Sequence, residues 1–269
     1  MTVVISTYNA EAWLEKVLLG YERQVFRDFE IIVADDGSGP ATAALVSGFA
    51  ARVPFPVQHL WHQDQGYRRQ EILNRAIVAA RHEYLVFTDG DCIPRSDFLQ
   101  VHAAQARKDR FLSGGYCKLG RALSEEIDAE AIVAESCFDP VWLGQRQKMD
   151  FSNRLKLGSG RARAHALDVL TPTRATFNNC NSSAWKSDLL AINGYDERIK
   201  YGGADRELGE RLVNHGVRGL QIRHRAICIH LDHDRPYRTQ ESLSASMAIR
   251  RETGRTGRAW TPWGIQRQD

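Results

Sequence analysis

The stretch Glu83-Tyr84-Leu85-Val86-Phe87-Thr88-Asp89-Gly90-Asp91-Cys92 constrains the fold more than any other part of the chain. An apolar, β-prone run breaks off in two carboxylates separated by one glycine. A strand this apolar reads as buried on both faces, as in a parallel sheet. Ligands collect at the carboxyl ends of such strands. Asp-Gly-Asp there sets two hard oxygen donors around a place that suits Mg²⁺ or Mn²⁺ together with a phosphate. Asp-Gly also favours tight hairpins, so the surroundings have to decide between ligand site and turn.

Those surroundings alternate strand and helix signals. Thr2 to Ser6 is a short apolar strand, and Thr7-Tyr8-Asn9 a loop. Trp13, Val17 and Leu18 then recur at helical spacing on one face. Glu30 to Ala34 is a second apolar strand, ended by the breaker cluster Asp35-Asp36-Gly37-Ser38-Gly39-Pro40. A helix over 43–51, a third strand over Val57 to Trp61 and a helical stripe of Ile72, Leu73, Ala76, Ile77 and Ala80 lead into the strand before Asp89. This order predicts an α/β fold with a parallel, doubly wound sheet. In such a sheet Asp35-Asp36 and Asp89-Asp91 share one edge, which two independent turns would not explain.

Beyond Gly115 the pattern blurs as far as about Thr176. Glu125 to Ser136 reads as a helix, and the whole stretch as a lid, a binding loop or a partly mobile segment. Trp185 to Ile192 reads as a helix closed by Asn193-Gly194. Asp205 to Asn214 reads as another, with Leu208 and Leu212 inward and Gly216 as terminator. Ala226 to Leu231 alternates as a strand, with Ile227, Ile229 and Leu231 on one side and Cys228 and His230 on the other. The predicted organisation is one domain over 1–235, made of a nucleotide-binding half (1–115), a variable segment (116–175) and a second half (176–235), then a basic, Trp-containing extension over 236–269.

Composition excludes several classes. A hydrophobic fraction of 43% and a charged fraction of 26% are ordinary for a globular protein. No apolar run approaches the ~20 residues that span a bilayer, and the amino terminus reads as strand rather than signal peptide. Five cysteines without CxxC spacing point to neither a disulfide framework nor a zinc site, and a reducing cytoplasm is expected. A net charge of +3 does not argue for nucleic acid. The basic residues do cluster, as Arg146, Lys148, Arg154, Lys156, Arg161 and Arg163, and as Arg250, Arg251, Arg255 and Arg258 ahead of Trp260 and Trp263. Each cluster is either a solvated face or a contact with an anionic membrane surface or phosphorylated acceptor.

Val4-Ile5-Ser6-Thr7-Tyr8-Asn9, Asp35-Asp36-Gly37-Ser38 and Asp89-Gly90-Asp91 resemble the nucleotide-sugar motifs of family 2 inverting glycosyltransferases. Asn178-Asn179-Cys180-Asn181-Ser182-Ser183-Ala184-Trp185, Asn193-Gly194-Tyr195-Asp196-Glu197 and Gly202-Gly203-Ala204-Asp205 are similar to the carboxyl-terminal module of β-1,4-galactosyltransferases and chondroitin-polymerase-like enzymes. The resemblance covers about residues 2 to 235. It implies a GT-A fold, a nucleotide-sugar donor, a divalent cation and a glycan or lipid-linked acceptor. A UDP-sugar is the expected donor and surface polysaccharide assembly the expected setting, in the cytoplasm or at the inner face of the membrane.

Residue chemistry runs beside the resemblance. Tyr8 offers an aromatic face to a base, and Thr7 and Asn9 a polar loop; Tyr8 can equally be a plain loop aromatic. Asp36, or else Asp35, can accept a base imino proton or form an Asx-turn. Arg68 or Arg69, in Gly66-Tyr67-Arg68-Arg69-Gln70, can fork onto donor phosphates or lie solvated. On the family pattern Asp91 is the metal ligand, Asp89 a ribose or metal contact, and Gly90 the glycine between them. His230 and His233 are candidate further ligands, and nitrogen there would favour Mn²⁺ over Mg²⁺. Asp205 is the catalytic base in the resembling family; its alternative is a helix N-cap, without a capping box because Leu208 stands three residues on. Asn181, Tyr201, Gly202 and Gly203 are implied contacts of donor sugar or acceptor.

Two positions depart from the family pattern: Ala204 stands where Glu is usual, and Tyr201 where Trp is common. They bear on the acceptor more than on the chemistry. A sugar nucleotidyltransferase is the rival enzyme, but the Ser6-Thr7-Tyr8-Asn9 loop has no glycine or lysine to cradle a triphosphate. A nucleotide-sugar-binding module that has lost catalysis is the non-enzyme rival, favoured by Ala204.

Overall fold

The computed structural model describes residues 1–171, 173–234 and 239–266, with Arg161 described by its backbone alone. The expected boundary at 235/236 and the Arg161 side chain therefore lie outside the described residues. The chain opens as β1 (Thr2–Thr7), α1 (Glu11–Glu22), β2 (Glu30–Asp35), α2 (Pro40–Arg52), β3 (Val57–Trp61), α3 (Arg69–Ala79) and β4 (Tyr84–Asp89). A short β5 (Cys92–Pro94), α4 (Phe98–Gln105), β6 (Arg110–Ser113) and β7 (Gly115–Lys118) follow. Short helices come next: α5 (Arg121–Glu126), α6 (Ala129–Val133), α7 (Pro140–Arg146), α8 (Phe151–Leu157) and α9 (Arg161–Leu170). The last part holds β8 (Ser182–Trp185), α10 (Lys186–Ala191), α11 (Ala204–Asn214), β9 (Arg218–Gln221), β10 (Ile227–His230) and α12 (Gln240–Thr256).

Seven strands form the main sheet in the order β3-β2-β1-β4-β8-β6-β9. β1 runs parallel to β2 and β4, and β2 to β3, so the expected parallel sheet is present. Every residue of β1 and β2 is buried, as a strand covered on both faces requires. Alternation then sorts the side chains. Val3, Ile5, Ile31 and Val33 pack with Leu14, Val17 and Leu18 of α1, while Val4 and Ile32 pack with Ile72, Leu73 and Ala76 of α3 and Leu208 and Leu212 of α11. The register places Thr7 opposite Asp35 and Ser6 opposite Asp89, so both acid clusters sit on one sheet edge. A second sheet, β5-β10-β7, stands beside that edge.

Two sequence expectations need correction. The helix expected over Glu125 to Ser136 is broken: Asp128 accepts the N–H of Ala131 at 2.8 Å and starts α6 anew, and a 3₁₀ turn spans Ser136–Phe138. The helix expected from Trp185 begins at Lys186 instead. Trp185 ends β8, where it pairs with Tyr84 and their rings meet edge to face at 5.0 Å. Beyond β7, the 116–175 stretch holds a run of short helices. Asp168 anchors its end, accepting from the His224 backbone and ring at 2.9 Å and from Arg225 at 2.6 Å.

The stretch after α11 is built into the body. Thr253 donates to Glu207 at 2.8 Å, and Arg250 pairs with Glu210 at 2.7 Å. Asn193 donates to the carbonyls of Thr261 and Gln266, and the Arg198 guanidinium lies 3.2 Å from the Trp263 ring centroid. Among the described residues no helix is long and apolar enough to cross a membrane.

Candidate active site

A cleft of about 1130 Å³ opens over the shared carboxyl edge of β1 and β4. Ser6, Thr7, Tyr8 and Asn9 line it from β1, Asp89, Gly90 and Asp91 from β4, Tyr67 and Arg69 from the start of α3, and His230 and His233 from the end of β10. Gly90 sits where β4 meets β1 closely: a Cβ there would stand 3.0 Å from the Ser6 carbonyl and 3.2 Å from Thr7 Oγ1, tighter than most side chains accept. Thr7 Oγ1 is buried and has no hydrogen-bond partner among the described residues. A hydroxyl left so is costly unless something else meets it.

Arg69 crosses the floor of the cleft. It donates to Ser6 Oγ at 2.7 and 3.0 Å and forms a short ion pair with Asp89, which also accepts from Ser6 Oγ at 3.0 Å. Burial is the largest single influence and disfavours the Arg69 charge, but Asp89, Tyr67, Tyr195 and Asp205 together outweigh it and raise the pKa. Arg68 points elsewhere: its guanidinium is taken by Glu71 at 2.6–3.0 Å and Gln65 at 2.7 Å. Of the two arginines that sequence left open, Arg69 is the one in the cleft.

The acid pair after β2 divides likewise. Asp35 is fully buried, accepts from Ser38 N at 2.8 Å and pairs with His59 Nε2 at 2.8 Å. It does not line the cleft. Asp36 does, although its oxygens already meet His62 Nε2 at 2.8 Å and the Arg68 N–H at 3.1 and 3.2 Å. Burial pushes its carboxyl up in spite of these partners. Tyr8 is 43% exposed at the rim, with its hydroxyl on Asp64 at 2.9 Å, and Asn9 is tied to Ser38 and Gly39.

Asp91 meets both histidines. His233 Nε2 lies 2.9 Å from Asp91 Oδ2, and His230 Nδ1 3.8 Å from the same oxygen. Burial works against the Asp91 charge, yet the His233 hydrogen bond and the charges of both imidazoles hold its carboxyl below the usual range. His230 Nδ1 is 2.8 Å from the Leu231 carbonyl and His233 Nδ1 2.7 Å from that of Asp234. A backbone carbonyl accepts only, so each Nδ1 carries a proton there and each Nε2 is the ring's other functional atom.

Opposite this edge, Gly202 and Gly203 turn the chain into α11 with φ of 92° and 88°, a region open to glycine. Gly203 is the N-cap, so Asp205 is not; it sits inside the first turn and accepts the Arg206 N–H at 2.8 Å. Burial is the main influence on Asp205 and raises its pKa; Arg69 opposes that shift and Asp89 adds to it, so the two sides of the cleft act on each other electrostatically. Tyr201 lines the cleft with its ring edge-on to Tyr67 at 6.3 Å.

Asn181 is a correction. It is fully buried, contacts His102 at 2.9 Å and donates to the Gly115 and Ala226 carbonyls at 2.7 and 3.0 Å, which joins the two sheets. It offers nothing to a sugar. Ser6, Tyr67 and His62 escaped the sequence reading; only the polar residue ending an apolar strand, Ser6, left a signal there.

A doubly wound sheet with acidic strand ends facing a helix that carries Asp205 has the GT-A glycosyltransferase architecture, and solved structures agree. S. aureus TarS 1–349 in complex with UDP-GlcNAc superposes with a TM-score of 0.63 at 16% identity, over 93% of this chain and 64% of that one. A mannosyltransferase from Pyrobaculum calidifontis, in complex with GDP-Man and Mn²⁺, gives 0.57 at 18% identity over 88% and 58%. Residues 2–117 match the model of glycosyl transferase family 2, and residues 162–234 match that of the N-terminal domain of galactosyltransferase. Validoxylamine A glucosyltransferase of Streptomyces hygroscopicus subsp. limoneus is 28% identical over 231 residues, 81% of this chain and 48% of that enzyme. The chain thus spans about half the length of such curated relatives.

Proposed function

We propose that the chain is a metal-dependent inverting glycosyltransferase that moves a sugar from a nucleotide-diphosphate donor, a UDP-sugar, to a hydroxyl of a glycan or lipid-linked acceptor. The observation that carries this reading is one cleft lined by Asp89, Asp91, His230, His233 and Tyr201, with Asp205 four residues beyond Tyr201, outside that lining, and coupled by charge to Arg69 and Asp89. The Asp91 carboxylate and the two imidazoles beside it fit a divalent cation, by donor chemistry and by charge. Such a cation would neutralise charge on the leaving diphosphate.

The chain's own residues do the rest. Arg69, held charged by Asp89, is placed to bind phosphate oxygens. The orphaned Thr7 hydroxyl would meet a ribose hydroxyl, and Tyr8 would stack on the base. Asp205 takes the proton of the acceptor hydroxyl as that oxygen bonds to the anomeric carbon. The bond from that carbon to the diphosphate oxygen breaks, and the nucleotide diphosphate leaves with the electron pair. Attack from the opposite face turns an α-linked donor into a β-linkage. Its raised pKa makes Asp205 a stronger base than a free aspartate.

Surface polysaccharide assembly at the cytoplasmic face of a membrane is the setting this reading favours. Phe151 is 78% exposed on α8 and Leu170 77% exposed on α9, helices that also carry Arg154, Lys156 and Arg163. Apolar tips among cations suit an anionic bilayer. Arg146, Arg250 and Arg258 already have protein partners and add less. Release of UDP on mixing UDP-sugars, Mn²⁺ and glycan or lipid-linked acceptors tests the activity. Donor binding with no turnover across a broad acceptor panel would point to a module without catalysis instead.

A further inference from the structure

The two acids after β2 each meet one histidine from the neighbouring strand. His59, within β3, pairs with the fully buried Asp35, and His62, just past the end of β3, pairs with Asp36. Asp36 lines the cleft together with Tyr8, Gly66 and Tyr67, while His62 is buried and off that lining. His62 Nδ1 has no hydrogen-bond partner among the described residues, so the ring's one hydrogen bond is with Asp36. A carboxylate only accepts, so His62 Nε2 carries a proton and donates to Asp36 Oδ1 at 2.8 Å. The Arg68 N–H adds to the same oxygen at 3.2 Å and reaches Oδ2 at 3.1 Å. Each carboxylate oxygen offers about two acceptor positions. Both on Oδ1 are taken, and Oδ2 alone keeps one for a donor from the cleft.

We propose that His62 sets the base specificity of the donor site: by holding Oδ1 it leaves Asp36 one acceptor, which suits the single ring N–H of uracil and turns guanine away. The inference rests on the donor reading above, with the base over Tyr8 and within reach of Asp36. Uracil presents one N–H between two carbonyls. A bare carboxylate facing it would set its second oxygen against one of those carbonyls, and donors on Oδ1 relieve that repulsion. Guanine presents its N1–H and 2-amino group side by side and forks onto both oxygens of a free carboxylate, as a guanidinium does. With Oδ1 occupied, one of those donors is left buried and unmet, which is costly. Adenine and cytosine present a bare ring nitrogen there, which a carboxylate repels. His62 does not touch the nucleotide; it is a positioning residue that acts through Asp36.

Calorimetric titration of the whole chain, with Mn²⁺, against UDP, GDP and inosine diphosphate tests this. Inosine diphosphate keeps the purine and the N1–H of guanine but lacks the amino group, so base size cancels between the two purines. Displacement of bound UDP reads a purine too weak for direct titration. In the parent, UDP should bind best, and inosine diphosphate at least ~10-fold tighter than GDP, the scale of one hydrogen bond to a charged group. His62→Leu frees Oδ1, so GDP should gain on inosine diphosphate by about tenfold. His62→Gln keeps a donor and should preserve the parent's order. A purely structural role for His62 would weaken all three nucleotides alike and leave their ratios unchanged. Circular dichroism establishes that each variant is folded, and the parent's own choice between the two purines decides should His62→Leu not fold. GDP binding the parent as tightly as inosine diphosphate, or an unchanged ratio in folded His62→Leu, overturns the proposal and leaves the donor reading intact. A parent that binds no UDP sinks the donor reading and this inference with it.

Discussion

The two sides of the cleft are built in different ways. The donor side hangs on the ends of parallel strands, where register alone sets Ser6 beside Asp89 and Thr7 beside Asp35. The acceptor side hangs on a helix held by a buried ion pair. Glu207 and Arg211 are both fully buried, 2.8 Å apart, and Arg211 also donates to the Ile192 and Gly194 carbonyls at 2.7 and 2.6 Å. Thr253 of α12 closes the same network. Backbone pairing thus fixes the donor side, and side-chain chemistry between distant segments fixes the acceptor side. One is tolerant of single substitutions away from the site; the other is not.

Substitutions can break this contrast in order of size. Asp205→Asn should cost ~10²–10⁴-fold in kcat while UDP affinity is unchanged, read by steady-state kinetics beside calorimetry. Equal losses in both would place Asp205 on the donor side. Arg211→Met leaves Glu207 buried and unpaired and should cost about 3–5 kcal/mol of stability, read by denaturant unfolding. A loss below about 1 kcal/mol would show that the acceptor side does not depend on this pair. Asp91→Asn should weaken Mn²⁺-dependent UDP binding by at least ~10–100-fold, with a melting temperature near that of the parent. Arg68→Ala should change donor affinity by under about 1 kcal/mol, because its half-exposed pairs with Glu71 lie off the cleft. Arg69→Ala should change it by far more.

Acidity offers a further test across the cleft. Burial lifts the Asp205 carboxyl above its ordinary value of about 3.9, so the group takes up its proton at a higher pH than a free aspartate. A base must be unprotonated to act. The rate should therefore fall as pH drops through the raised pKa, on a limb displaced upward from the ordinary carboxylate range. Asp205→Asn should abolish that limb and leave only a low, flatter residue of activity. An unchanged profile in Asp205→Asn would assign the limb to another group.

The same contrast decides what could be read from sequence. Apolar runs buried on both faces, with acids at their ends, announce parallel strands, so the shared edge that carries Thr7, Asp89 and Asp91 was legible in sequence. The choice between Arg68 and Arg69, or Asp35 and Asp36, was not, because neighbours in sequence point to opposite sides and only packing shows which way. Asn181 lay in a matching motif but is consumed by joining the two sheets. In the 116–175 stretch, capping by Asp128 and the anchor of Asp168 on His224 and Arg225 link residues that sequence shows only as polar and scattered. The cysteines looked unrelated by spacing, yet the pairing of β5 with β10 sets Cys92 opposite His230.

The central claim is a cleft with a metal-assisted donor side and a separate base. Calorimetric titration of UDP into the parent chain, Asp91→Asn and Asp205→Asn, each with Mn²⁺ and with a chelator, tests it most directly. Binding should depend on Mn²⁺ in the parent and in Asp205→Asn, and should be lost in Asp91→Asn. UDP binding that ignores both Mn²⁺ and Asp91, or that disappears with Asp205, would contradict it.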